Sequence, residues 1–323
     1  MINFATVGTN WITDRFIDAG KRIEGFHLAG IYSRSKSRAL DYASLHNAEL
    51  IFTDLQELAQ SAEVDAVYIA SPNALHCEQA MTLMAHGKHV ICEKPMAVNV
   101  NETRRMIECA KDNGVVLMEA LKSTLSPDFC KFREELHRVG TIRRFFVNLS
   151  KYSSRYDRYL NGEVPNAFNP KLGNGALMDL GPYCIYPSVI LFGRPNQVMA
   201  HSVFLESGVD GLSTVTLAYE GFQVIIAVSK INDSQAKSEI QGEKGSLVVD
   251  KIGSFRGIHL HERNGDRLTI SEGSSEPVMK YEIEEMMHLI QSYATESSMN
   301  THAASLMTAE ILEEVRRQTG FNF

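Results

Sequence analysis

Lys94, in the tripeptide Glu93-Lys94-Pro95, is a residue placed to do chemistry. It follows the apolar run Val90-Ile91-Cys92, which is typical of a buried strand. Proline cannot continue a central strand, so the strand ends here and the lysine lies just beyond it. Ligands of open parallel sheets bind at the carboxyl ends of the strands. The tripeptide therefore predicts a cation at a ligand site, and the alternative is a surface turn with a charged pair.

Asp179 and Tyr183 form a second candidate pair, in the segment 173–184. They are four residues apart and share a face if the segment is helical. Because Pro182 fits only a first turn, we expect a helix that begins near Asp179. A tyrosine hydroxyl can exchange a proton with a carbonyl or alcohol oxygen when a nearby cation stabilises the phenolate. A helix-capping aspartate and a packed tyrosine are the alternative.

The turn after the first predicted strand reads Gly8-Thr9-Asn10-Trp11-Ile12-Thr13. Only Gly8 matches the dinucleotide pattern G-x-G-x-x-G. Asn10 replaces the second glycine, and asparagine tolerates the left-handed conformation. Thr13 replaces the third and offers a hydroxyl near a helix N-terminus, where anions bind. An ordinary strand-to-helix turn is the alternative. The predicted cofactor residues of this turn are Gly8, Thr9, Asn10, Trp11 and Ile12.

The turn after the second predicted strand indicates which cofactor is used. NAD-selective folds place an acid there for the ribose 2′-hydroxyl. Residues 33–38 contain no acid, and Arg34 suits a 2′-phosphate, with Ser33 and Ser35 as hydrogen-bonding neighbours. The pattern predicts NADP, with NAD as the alternative cofactor and a solvated basic turn as the alternative structure.

Strand and helix patterns alternate in the first third of the chain, with predicted strands at 3–8, 26–32, 49–52, 66–70, 90–92 and 115–118. This alternation predicts right-handed βαβ units and a doubly wound parallel sheet, an α/β Rossmann domain at residues 1–121. Residues 122–323 are predicted to form an α+β domain with a mostly antiparallel open sheet. A helix at about 301–318 is expected to pack back on the body.

The strand predicted at 222–230 is apolar on both faces, including Ile225 and Ala227 on the second face. We therefore expect a homodimer or homotetramer through the open sheet face. The net charge of −7 and pI of about 5.9 argue against nucleic-acid and membrane partners. The five scattered cysteines and the absence of a basic N-terminal leader predict a cytoplasmic protein. His259 and His261 share a strand face without a third ligand, so no metal site is predicted.

The motifs together resemble the glucose–fructose oxidoreductase / inositol dehydrogenase family, Gfo/Idh/MocA, over essentially the whole chain. The matching features are Glu93-Lys94-Pro95, Ser71-Pro72-Asn73 with His76, and Gly-Asn-Gly-Ala-Leu-Met-Asp-Leu-Gly-Pro-Tyr at 173–183. Met118-Glu119-Ala120-Leu121 is similar to the dihydrodiol and xylose dehydrogenase branch. The chain departs from the family pattern at Asn10 and at Lys122-Ser123.

The resemblance implies roles for these residues. It implies that Lys94 binds substrate near the nicotinamide, that Tyr183 gives or takes the proton, and that Asp179 places the substrate. It also implies a cofactor site that includes Ser71, Pro72, Asn73, His76, Glu93 and Lys94. We therefore expect an NADP-dependent dehydrogenase or reductase of a sugar, polyol or related hydroxyl or carbonyl compound. A non-catalytic NADP-binding sensor on the same fold is the alternative, and the presence of Lys94 and Tyr183 favours the enzyme.

Overall fold

The computed structural model describes residues 1–321, which form two compact units. The first contains Met1–Lys122 and Glu276–Leu306, and the second contains Ser123–Ser275 and residues 307–321. The predicted division places all of 122–323 in one domain, which differs from this arrangement for Glu276–Leu306. That segment contains a helix whose Met287 methyl group lies beside Gly25 of the first unit.

The first unit is built on six parallel strands in the order β3-β2-β1-β4-β5-β6, joined by helices. The strands are β1 (Ile2–Val7), β2 (Phe26–Tyr32), β3 (Leu50–Phe52), β4 (Ala66–Ile69), β5 (His89–Glu93) and β6 (Leu117–Ala120). The helices are α1 (Trp11–Gly20), α2 (Lys36–His46), α3 (Leu55–Gln60), α4 (His76–Met84) and α5 (Val100–Asp112).

Both faces of this sheet are buried, which is why its strands are apolar almost throughout. One face packs on α3, α4 and α5 through aliphatic side chains. The other carries an aromatic cluster in which the Phe16 and Tyr68 rings stack at 3.9 Å. The strand order reverses between β1 and β4, and in such sheets ligands bind at the carboxyl ends of the strands near the reversal.

The second unit contains an eight-stranded sheet in the order β14-β13-β12-β11-β7-β10-β9-β8. Its strands are β7 (Ile142–Ser150), β8 (Gln197–Phe204), β9 (Asp210–Tyr219), β10 (Phe222–Ser229), β11 (Ser238–Gly242), β12 (Gly245–Lys251), β13 (Arg256–Glu262) and β14 (Arg267–Ser271). The remaining helices of the chain are α6 (Pro127–Glu135), α7 (Tyr156–Leu160), α8 (Ala176–Leu180), α9 (Pro182–Phe192), α10 (Met279–Gln291) and α11 (His302–Thr319).

The predicted fold class is confirmed: a Rossmann-type parallel sheet accompanies a second, mostly antiparallel sheet. The second sheet is mixed, because β10 pairs with β7 in parallel while its other neighbour, β9, is antiparallel.

Among residues 1–321, no single helix is long and apolar enough to cross a membrane. One bent pair, Pro170–Leu180 with Pro182–Phe192, passes that test jointly by length and composition.

Candidate active site

The turn between β1 and α1 has no room for a side chain at its first glycine. Gly8 has φ +119°, and a Cβ atom there would lie 2.7 Å from the Ala70 carbonyl oxygen, just beyond β4. A bare backbone at this position, followed by the N-terminus of a ten-residue helix, fits the pyrophosphate of a dinucleotide. The predicted glycine role therefore agrees with the local geometry.

Asn10 is the N-cap of α1 rather than a substitute for a flexible glycine. Its backbone is extended, with φ −115°, and its Oδ1 accepts a hydrogen bond from the Ile12 N–H at 2.9 Å. Its Nδ2 donates to the Ala70 carbonyl at 2.8 Å, so the side chain ties the turn to the end of β4. Asparagine is among the residues most favoured at an N-cap. The departure from the family pattern thus has a structural role in this chain.

Other side chains of the turn have distinct environments. Trp11 is 55% exposed, and the Arg15 guanidinium lies 5.1 Å from its ring centre. Thr13 is fully buried and its hydroxyl has no hydrogen-bond partner among the described residues, so the expectation that it meets an anion is wrong. Its side chain instead packs inside the unit, as the third glycine position requires. Arg38 donates to both the Thr9 hydroxyl and the Thr9 carbonyl oxygen.

The turn after β2 presents donors without an opposing acid. Ser35 is the N-cap of α2, whose first turn carries no acidic residue, and the Ser33 hydroxyl accepts from the Ser35 N–H at 3.3 Å. Arg34 is exposed and makes no hydrogen bond or ion pair within residues 1–321. A guanidinium, serine hydroxyls and a helix N-terminus together suit a phosphate group.

His76 links the loops that follow β4 and β5. It is fully buried, with Nδ1 3.0 Å from the Pro95 carbonyl oxygen and Nε2 2.9 Å from the Ser71 carbonyl oxygen. Burial lowers the pKa of His76, and the contacts with the Ser71 and Pro95 backbone oppose that shift. Ser71 donates through its hydroxyl to Gln79 Oε1 at 2.6 Å. These contacts fix the Ser71-Pro72-Asn73 loop against the loop that follows Lys94.

Lys94 is half-buried just after β5, and the peptide bond to Pro95 is cis. The neighbouring Glu93 carboxylate positions its backbone: Oε2 accepts from the Lys94 N–H at 3.3 Å, and Oε1 accepts from the Tyr68 hydroxyl at 2.6 Å. The predicted cation therefore lies at the carboxyl edge of the parallel sheet, and Glu93 acts through hydrogen bonds to the protein.

Two buried carboxyl groups near this edge were not singled out as site residues in the sequence. Glu119 on β6 is 2% exposed, and its Oε1 accepts from the Met96 N–H at 2.9 Å. Burial raises the pKa of Glu119 to about 7, although hydrogen bonds and the Lys94 charge oppose the rise. Glu282 on α10 is fully buried, and burial, with the Glu93 charge added, raises the pKa of Glu282 well above its usual value. Glu119 lies in the stretch Met118-Glu119-Ala120-Leu121, but neither its burial nor that of Glu282 could be predicted, because both depend on distant elements.

In the second unit, Asp179 and Tyr183 belong to different helices. Asp179 lies on α8 and Tyr183 in the first turn of α9, and the two helical segments meet at 53°. The break falls at Gly181, and the following Pro182, which has no N–H to donate, occupies the first position of α9. The expectation of one helix beginning near Asp179 is therefore wrong, while the placement of Pro182 in a first turn is right. Both side chains are partly exposed.

Asp210, a residue that the sequence did not reveal, holds the start of α8. It is fully buried, and its Oδ2 accepts from the Leu177 N–H at 2.7 Å and from the Ser213 hydroxyl at 2.6 Å. Gly175 has φ +141°, and a Cβ atom there would lie 2.1 Å from Asp210 Oδ1. Burial raises the pKa of Asp210, while these hydrogen bonds and the Lys230 charge lower it. The glycine-rich segment thus allows a carboxylate to reach the helix start.

Lys230 is a second residue near Asp179 that the sequence did not reveal. Its Nζ lies 2.7 Å from Asp179 Oδ2, and its side chain is only 6% exposed. It follows β10 directly, 51 positions away from its partner in sequence. The predicted substrate-placing aspartate is thus one half of an ion pair.

The short helix α7 makes both surface and packing contacts. Arg158 pairs with Glu163 at the surface, and the Tyr159 hydroxyl accepts from the Ser207 N–H at 2.9 Å. In the described part of the chain, no group of three or more His, Cys, Asp or Glu side chains is placed to hold a metal ion. His259 lies 3.2 Å from the Thr269 hydroxyl and 3.6 Å from Asp250.

Comparisons with known proteins agree with this geometry. The profile of the Gfo/Idh/MocA oxidoreductase family, NAD-binding Rossmann fold, matches residues 2–121, and that of the family's C-terminal domain matches residues 137–248. The chain is 52% identical to the scyllo-inositol 2-dehydrogenase (NADP(+)) IolU of Bacillus subtilis, over 99% of this chain and 98% of that protein.

Two further proteins show how widely the likeness extends. The chain is 42% identical to the uncharacterised oxidoreductase YgjR of Escherichia coli, over 100% of this chain and 98% of that one. The crystal structure of KijD10, a 3-ketoreductase from Actinomadura kijaniata in complex with NADP and TDP-benzene, has the same fold. It superposes with a TM-score of 0.88 at 20% identity, covering 98% of each chain. The chain therefore belongs to the Gfo/Idh/MocA family and is an NAD(P)-dependent oxidoreductase acting on CH–OH groups.

Proposed function

We propose that this chain is an NADP-dependent dehydrogenase or reductase of a sugar or polyol, with a cyclic polyol of the inositol type as the first candidate substrate. The observation that carries the proposal is the full-length, 52% identity to an enzyme whose name gives both scyllo-inositol and NADP(+). The sequence of the site supports it, because both Lys94 and Tyr183 are present together with Asp179.

The choice of NADP is supported by the end of β2. An acid that would hold a ribose 2′-hydroxyl is missing from residues 33–38, and Arg34 is exposed without a protein partner among residues 1–321. A 2′-phosphate would meet Arg34 and the hydroxyl of Ser33 or Ser35 at the N-terminus of α2. The pyrophosphate would meet the backbone at Gly8 and the N-terminus of α1.

The proposed chemistry assigns one task to each side chain. When bound, the nicotinamide supplies the carbon that accepts or returns a hydride. During oxidation, Tyr183 Oη takes the proton of the reacting hydroxyl, and during reduction it returns that proton to the carbonyl oxygen. Lys94 Nζ donates a hydrogen bond to the same oxygen and stabilises its negative charge. The Asp179 carboxylate accepts a hydrogen bond from a neighbouring substrate hydroxyl and so fixes which carbon reacts.

A substrate panel tests the proposal. Purified enzyme is incubated with scyllo-inositol, myo-inositol, aldoses, acyclic polyols and dihydrodiols, each with NADP⁺ and with NAD⁺, and the reduced cofactor is followed by absorbance. We expect the highest kcat/KM for a cyclic polyol with NADP⁺. Turnover of dihydrodiols alone, or a preference for NAD⁺ with every substrate, would contradict the proposal.

We also propose that the chain assembles as a homodimer or homotetramer through the open face of its second sheet. Val224 and Ile226 on β10 are buried, whereas Ile225 and Ala227, on the opposite face, are only partly buried. The edge strand β8 adds two large apolar side chains on the same face as Ile225, Met199 and Val203, each 46% exposed. Thr216 of β9 lies between Ile225 and Met199 in the strand register, so the face carries several apolar side chains among polar ones. Exposed apolar side chains grouped in this way are typical of a subunit interface.

A further inference from the structure

Lys230 is a buried cation whose backbone is held on two sides. Its N–H donates to the Gly211 carbonyl at 2.9 Å, and its own carbonyl accepts from the Ser153 N–H at 2.9 Å. It directly follows the last residue of β10, a strand that lies between β7 and β9. The sheet therefore fixes the position from which the lysine side chain extends.

The side chain of Lys230 is enclosed by groups that suit a cation. Its Nζ lies 2.7 Å from Asp179 Oδ2 and 5.5 Å from the centre of the Phe168 ring. Its charge also lowers the pKa of Asp210, which burial raises. A lysine with 6% of its side chain exposed needs such partners, since an unpaired buried charge is strongly unfavourable.

Asp179 is the more accessible member of the pair, with 37% of its side chain exposed. It lies on α8, a helix of only five residues that Asp210 holds at its first turn. A carboxylate on so short a helix has several rotamers, and the bond to a lysine anchored in the sheet selects one of them.

We propose that Lys230 is a positioning residue for the reaction, acting through Asp179. By fixing the Asp179 carboxylate in one orientation, Lys230 makes it a fixed hydrogen-bond acceptor for a substrate hydroxyl. This inference rests on the proposed function. The family motifs supply Lys94, Asp179 and Tyr183. The inference adds a second lysine, Lys230, from a different part of the chain.

Four proteins test the proposal: the wild type, Lys230→Met, Asp179→Asn and the double variant. We expect Lys230→Met to lower kcat/KM by about 10–100-fold, mostly through a higher KM, because a bond made in both ground and transition states is weakened. In the Asp179→Asn background, the same change should cost less than about 3-fold, because the lysine has lost the group it positions. Lys230→Arg should recover most of the activity, since a guanidinium can hold the same carboxylate.

The controls separate positioning from folding. Lys237→Met removes a half-exposed lysine that pairs with Asp250 at 2.6 Å in the same unit, and it should leave kcat and KM unchanged. If Lys230→Met does not fold, Lys230→Gln, which keeps a donor without the charge, takes its place. A lower Tm with unchanged kcat and KM would overturn the proposal, as would a full 10-fold loss in the Asp179→Asn background. A wild type that turns over nothing in the panel would instead overturn the proposed function.

Discussion

Replacing Asn10 probes the cofactor-binding turn, because this side chain makes two different bonds. Asn10→Ala removes the cap on the Ile12 N–H and the bond to the Ala70 carbonyl. Loss of an N-cap costs about 1 kcal/mol, and loss of a neutral hydrogen bond costs about 0.5–1.5 kcal/mol. Because Asn10 is exposed, we expect the lower part of the combined range, about 1.5–2 kcal/mol of the free energy of unfolding.

Asn10→Asp distinguishes the effect of the two hydrogen bonds on stability from the effect of this position on cofactor affinity. The aspartate keeps an oxygen for the Ile12 N–H but faces the Ala70 carbonyl with a second oxygen instead of a donor. It also brings a negative charge to the turn proposed to hold the phosphates. A like charge at about 6 Å, at an effective dielectric constant of about 40, costs about 1.4 kcal/mol, so NADPH binding should weaken about 10-fold.

The assay is a pair of measurements on each variant: urea unfolding for stability and NADPH fluorescence for affinity. Asn99→Ala is the matched control, since Asn99 caps α5 through the Glu102 N–H at 2.8 Å and lies outside the turn. It should lose about 1 kcal/mol of stability and none of the NADPH affinity. If Asn10→Asp binds NADPH as tightly as the wild type does, the phosphates do not lie at this turn.

Three further changes test other parts of the molecule. Arg34→Ala should weaken NADP binding about 5–30-fold, the value of an exposed charge-assisted contact, and leave NAD binding within about 2-fold; equal losses would show that the 2′-phosphate is not bound there. Ile225→Asp should dissociate the oligomer in sedimentation experiments, whereas a monomeric wild type would contradict the proposed interface. Because the raised pKa of Glu119 makes the native state hold its proton up to about pH 7, stability should fall as pH rises from about 4.5 to about 7, and Glu119→Gln should remove that part of the pH dependence. An unchanged slope in Glu119→Gln would mean that Glu119 does not carry the proton.

The parallel sheet and its lysine could be predicted from sequence because their signals are local. Each strand of the first unit is an apolar run bounded by turn residues, and Pro95 ends β5 beside Lys94. The need for glycine at position 8 could also be predicted, because the turn after a first strand brings the backbone close to other groups. In the structure, a side chain at Gly8 would collide with the Ala70 carbonyl oxygen.

The rest depends on contacts between distant segments. Asp210 and Lys230 are 33 and 51 positions from the residues that they hold, and no spacing rule connects them. The parallel pairing of β7 with β10 joins strands that have helices and two other strands between them. The membership of α10 in the first unit likewise depends on packing across most of the chain rather than on its own pattern.

The proton transfer assigned to Tyr183 is tested most directly by the turnover of Tyr183→Phe. The change removes only the hydroxyl, and it should leave NADPH affinity within about 2-fold while lowering kcat about 10²–10⁴-fold, the usual contribution of positioned acid–base catalysis. Lys94→Met, measured alongside, should lower kcat and also raise KM, because the lysine is proposed to bind the reacting oxygen. Near-normal turnover by Tyr183→Phe on the substrate that the panel identifies would contradict the proposed mechanism, because the proton would then travel through another group.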